Sequence, residues 1–106
     1  MKLYHATTRA NLASILEHGL RVVKADPTAK IKGVWACTAS NRGWAILHTQ
    51  RKHKALLEDV VVIEINVPKN QLTRFKRGFF YSKTDIGAER VNTVIPGEHF
   101  GRSLSE

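Results

Sequence analysis

Seventeen Lys and Arg against nine Asp and Glu in 106 residues give a formal charge of +8, enough to attract polyanions across a Debye length. The length suits one domain, residues 1–106, around a single core, and the 42% hydrophobic fraction excludes a disordered chain. The lone Cys37 excludes an internal disulfide. The five histidines, His5, His18, His48, His53 and His99, show no metal-ligating spacing, so no metal is expected. No apolar run could span a bilayer and the opening residues do not read as a signal peptide, so a cytoplasmic protein without a membrane partner is expected.

Lys2 to His5 reads as a short strand. Thr7 or Thr8 can cap a helix with Leu12, Ile15, Leu16 and Leu20 at helical spacing, and Gly19 supplies a left-handed stop. Asn11 can turn its side chain back to that helix start. An imidazole where a strand gives way to a helix stands at a common ligand position of α/β proteins. A lone histidine there is more often a hydrogen-bonded structural residue. Arg21 to Lys32, with Pro27, has no period and reads as a loop.

Gly33 to Cys37 is an apolar strand, and Thr38 to Asn41 a turn or cap. A second helix is expected from about Arg42 to Leu57, with Trp44, Leu47 and Ile46 on its apolar side and Arg51 to Lys54 on the other. Asp59 to Val67 is the strongest strand, ended by Pro68. Shorter strands follow at Thr73–Lys76, Phe79–Ser82 and Arg90–Ile95, the last closed by Pro96-Gly97. Two helices among runs of strands predict an α+β domain with a split, mostly antiparallel sheet.

Three blocks in this order resemble the ADP-ribosyltransferase superfamily. Leu3-Tyr4-His5-Ala6-Thr7 with Asn11-Leu12, Ser14-Ile15-Leu16 and Gly19-Leu20 is similar to the family's opening histidine strand and helix. Gly33-Val34-Trp35-Ala36 with Ser40 to Ala45 resembles the strand and helix that carry its aromatic residue. Glu89-Arg90-Val91, ahead of Val94 to Phe100, is similar to the late strand of its catalytic glutamate. The small basic branches, DNA-targeting toxins and RNA 2'-phosphotransferases, are nearest in texture. Ala6 replaces the family's glycine, and its usual tyrosine is missing, leaving Trp44 or Trp35.

The resemblance implies transfer of ADP-ribose from NAD to a nucleic acid or protein acceptor, with release of nicotinamide. Cleaving the nicotinamide–ribose bond leaves positive charge on the sugar, which calls for a clamp, a flat surface and a carboxylate. His5 would hold a ribose hydroxyl, the Ala6 backbone the carboxamide, and Thr7 would add a hydroxyl. Trp44 or Tyr81 would stack on nicotinamide. Arg42, Arg9 or Arg21 would meet the pyrophosphate. Glu89 would stabilise the cation and activate the acceptor, with Glu98 and Glu64 as competing carboxylates. RNA 2'-phosphotransfer, in which basic residues matter and Glu89 does not, and a non-catalytic nucleic-acid-binding module remain as alternatives. Arg51 to Lys54 with Lys69, Arg74, Lys76, Arg77 and Lys83 supply a positive surface, in which Phe75, Phe79 and Phe80 are interleaved.

Overall fold

The computed structural model of the chain describes residues 1–22 and 28–100. Its elements are β1 (Lys2–Thr8), α1 (Leu12–His18), β2 (Val34–Cys37), α2 (Arg42–His53), β3 (Val60–Asn66), β4 (Leu72–Lys76), β5 (Phe79–Ser82) and β6 (Val91–Pro96), with short 3-10 turns between them. Six antiparallel strands form one sheet in the order β4-β5-β2-β1-β3-β6. With the two helices this is an α+β fold.

Strand alternation divides the core in two. Leu3, Val34, Ala36, Ile63 and Ile65 project to one face and pack with Ile15 of α1, Leu20 and Ile86. Tyr4, Cys37, Val60 and Val62 project to the other and meet Ile46 of α2. The continuous apolar run of β3 follows from this, because Val60 to Ile63 are all at most 1% exposed and both faces are covered. Each such side chain contributes about 1.5–3 kcal/mol on burial.

The sheet is thin at one place. β1 pairs with β3 along its whole length, from Lys2↔Asn66 to Thr8↔Val60, but with β2 only at Tyr4↔Cys37. The expected split therefore takes the form of a single-pair seam inside a continuous strand order.

Gly19 ends α1 as its sequence suggests, at φ +77°, and a side chain there would strike the Ile86 carbonyl. That close approach lets Leu20 and Ile86 exchange backbone hydrogen bonds of 2.8 Å each way.

Several expectations need correction. β1 runs on to Thr8, and neither Thr7 nor Thr8 caps α1 through its side chain; a 3-10 turn at Arg9–Asn11 intervenes. Asn11 does turn back, donating from Nδ2 to Thr7 Oγ1 at 3.1 Å. α2 stops at His53, where Lys54 turns left-handed at φ 51°. Its buried side is Ile46 and Thr49, while Trp44 and Leu47 are 52% and 47% exposed. Hydrophobicity misled because Thr49 satisfies its hydroxyl on the Ala45 carbonyl at 2.8 Å and so tolerates burial. β6 starts one residue later than expected, at Val91, and ends at Pro96, as the Pro96-Gly97 signal suggests; on this edge strand the missing N–H is tolerated. The loop expected over Arg21–Lys32 includes residues 23–27, which lie outside the described residues.

Candidate functional site

His5 stands beside the seam. Its Nδ1 lies 2.6 Å from the carbonyl oxygen of Trp35 on β2, a residue with which β1 forms no ladder pair. A carbonyl can only accept, so Nδ1 carries the proton and Nε2 of the neutral ring is left as an acceptor. Burial holds the imidazole below its ordinary pKa; the Trp35 bond opposes this and the positive charge of Lys52 reinforces it. The neutral form with a basic Nε2 is therefore the state at neutral pH. Among the described residues no buried side-chain nitrogen or oxygen lacks a partner, His5 is partly exposed, and only its Nδ1 forms a hydrogen bond.

Around this histidine the next two residues are well placed. The Ala6 carbonyl lies 3.4 Å from Thr49 Oγ1, whose single hydroxyl proton makes its shorter bond to the Ala45 carbonyl. In an extended strand a residue's N–H and C=O point to the same edge, so the Ala6 N–H lies along that edge too. Thr7 is buried, and its Oγ1 accepts from Asn11, which leaves the hydroxyl proton to give.

Arg42 begins α2, an unfavourable end of the helix dipole for a cation. Two rings compensate: its guanidinium lies 4.9 Å from the Tyr4 ring centre and 4.5 Å from that of Phe100. This fixes the planar fork without neutralising it, since Arg42 makes no ion pair among the described residues.

The aromatic candidates share one face. Tyr81 pairs with Trp35 across β5 and β2, with ring centres 5.1 Å apart, and Phe75 of β4 meets Trp35 edge-on at 5.1 Å. Trp44 stacks on His48 one helical turn later, at 5.0 Å and 7°, and meets Phe79 edge-on. Sequence reading missed His48 and Thr49. The spacing Trp44–His48 is the signal that marks the first; the second has none, because a buried threonine looks like any polar helix residue.

Glu89 is elsewhere. It lies in the 3-10 turn Ala88–Arg90 that leads into edge strand β6, exposed, with its carboxylate folded over Gly87 and that turn packed against α1. It makes no ion pair among the described residues, not even with Arg90, and its turn leads into β6, which β3 separates from β1 and His5. The competing carboxylates are occupied: Glu64 accepts from the Tyr4 hydroxyl at 3.1 Å with Lys2 at 3.9 Å, and Glu98 pairs with Arg9 at 3.8 Å. The structure thus gathers His5, Ala6 and Thr7 along β1 at the seam, with His5 on the Leu3–Ile63 face, and places Arg42 beside Tyr4, together with Trp44 and Tyr81, on the opposite face of the sheet, with Glu89 in the turn before β6.

Two open depressions lie away from the seam. One of about 520 Å³ is lined by Arg9, Pro96, Glu98 and His99, and one of about 310 Å³ by Met1, Lys69, Leu72, Arg74 and Phe80. Among the described residues no three His, Cys, Asp or Glu side chains are grouped to hold a metal, and no helix is long and apolar enough to cross a membrane. No protein-family model and no curated protein matches the chain.

Proposed function

We propose that this protein is an NAD-consuming ADP-ribosyltransferase acting in the cytoplasm, with the nicotinamide-ribose end of NAD at the β1–β2 seam. The observation that carries this reading is the His5–Trp35 bond of 2.6 Å, which fixes Nδ1 as the donor and leaves Nε2 of the neutral ring as an acceptor beside the single-pair seam. Such an acceptor suits a ribose hydroxyl, a donor that keeps its proton throughout the reaction. The Ala6 N–H would meet the carboxamide, the Thr7 hydroxyl would add a contact, and Arg42 would meet a phosphate. Trp44 or Tyr81 supplies a ring face for the base. In the transfer the bond from ribose C1' to the nicotinamide nitrogen breaks with its electron pair leaving on nicotinamide; the acceptor bonds C1' and gives up a proton. The resemblance at the first sequence block supports the same assignment.

Glu89 would reach the sugar only if its turn moved toward the seam, since it now lies over Gly87. That position favours a second reading in which the glutamate takes no part: RNA 2'-phosphotransfer or a binding module without catalysis. Calorimetric titration with NAD separates the module from both enzymes. Binding is expected for the parent and a roughly tenfold loss for His5→Asn, whose amide keeps the bond to Trp35 but not the Nε2 acceptor. Absence of NAD binding by a folded parent overturns the transferase reading. Nicotinamide release that survives Glu89→Gln, together with 2'-phosphate removal from RNA, selects phosphotransfer.

A further inference from the structure

α2 packs mainly over β1 and β3 and reaches β5 through Trp44 on Phe79, and on the same side of β2, β5 and β4 the rings of Trp35, Phe75 and Tyr81 are at least partly exposed among the described residues. This strip is aromatic. Phe75 is 53% exposed and abuts Trp35, and Trp44, 52% exposed at the start of α2, abuts Phe79. Phe79 and Tyr81 alternate onto this face of β5, so the two ring groups are about 7 Å apart, two residues of strand. Lys76 Nζ lies 5.1 Å from the Phe79 ring centre.

The two sequence segments that supply the strip's Trp44, Phe75, Phe79 and Tyr81 carry charge of one sign. Residues 42–54 carry Arg42, Arg51, Lys52 and Lys54, and residues 69–84 carry Lys69, Arg74, Lys76, Arg77 and Lys83; neither segment contains an Asp or Glu. Exposed rings in a field of cations would repel a second copy of the same face. They match a chain that offers flat π surfaces and a negative charge at every step.

We propose that this face binds a single-stranded polynucleotide, with unpaired bases on Phe75 and Trp44 and phosphates on Lys76 and Arg77. The proposal deepens the transferase reading by naming its acceptor class. It stands or falls without NAD, however, so failure of one leaves the other intact. Ring stacking requires unpaired bases, because a duplex hides both faces of each base within its own stack.

The protein carries its own reporter. Its two tryptophans, Trp35 and Trp44, both lie on this face. Titration of the full chain with a short oligothymidylate, in the absence of NAD, is expected to quench tryptophan fluorescence, and the same strand annealed to oligoadenylate is expected to bind more weakly. Phe75→Ala is expected to weaken single-strand binding about tenfold with the salt slope unchanged. The Lys76→Gln, Arg77→Gln pair is expected to reduce the slope of log affinity against log salt by about one to two. Lys30→Gln with Lys32→Gln, an equal charge change outside the face, serves as the control. Equal affinity for the duplex, no loss with Phe75→Ala, or an equal loss with the control pair overturns the proposal. Both test variants alter exposed side chains, and a melting curve for each verifies that it is folded.

Discussion

The two sides of the seam are built differently. On one side β1 pairs with β3 over seven residues and β3 with β6 over a ladder shifted once between Glu64 and Ile65, and Leu3, Ile63 and Ile65 are fully buried between the sheet and α1. On the other side β2, β5 and β4 form a shorter ladder with a bulge near Arg74, and one face is left open with large rings exposed. Burial scales with stability, and exposed aromatic and cationic groups do not. The first half therefore holds the fold, and the second is free to carry contacts that contribute nothing to folding.

The contrast breaks most visibly in the buried half. Ile63→Ala is expected to lower unfolding free energy by about 3 kcal/mol, measured by urea denaturation. Gly19→Ala should cost roughly 1–3 kcal/mol by the same measurement, since it places a side chain in a left-handed conformation against the Ile86 carbonyl. A loss no larger than an ordinary surface substitution at either position would show that α1 is not seated on the sheet as described.

At the seam a smaller, pH-dependent effect is expected. Burial first, then the positive charge of Lys52, hold the folded-state pKa of His5 below the ordinary 6.5, against the opposing Trp35 bond. The unfolded chain therefore takes up this proton first as pH falls. The stability due to the neutral ring is complete above about 6.5 and declines from there toward the folded-state pKa, below which both states are protonated. Melting temperatures of the parent should fall more steeply than those of His5→Asn over this window. Parallel curves would mean that His5 titrates as a solvated residue.

The smallest change is expected in the open half. Phe75→Ala should lower unfolding free energy by only about 1 kcal/mol, because the ring is half exposed and its packing is the edge contact with Trp35. A loss comparable to that of Ile63→Ala would abolish the division between the halves.

Most of this architecture was readable because local signals and burial agree. β3 declares itself by an unbroken apolar run, α1 by its period and Gly19, and β5 by matching bounds. On α2 the sequence points inward with Ile46, which is buried, but also with Trp44 and Leu47, which outweigh Thr49 on any hydrophobic count, whereas packing selects the side that approaches β1 closely. Of the site, His5 was legible as a strand-borne imidazole, but its partner was not. The Trp35 carbonyl is backbone, and no residue type announces which carbonyl a thin place in a sheet leaves without a ladder partner. Glu89 was singled out by position before the Val-Ile-Pro ending; what that ending does not encode is which end of β6 faces the histidine.

Tyr4↔Cys37, the single pair that joins the two halves, includes the protein's sole thiol. Burial pushes that thiol up to about 11, with Arg42 opposing, and leaves it 2% exposed, so the closed molecule resists alkylation. Reaction with iodoacetamide must wait for the strands around it to part, and its rate then clocks how often they do. The chain thus has a native stopwatch on its weakest joint, one that needs no added label and runs during any ligand titration.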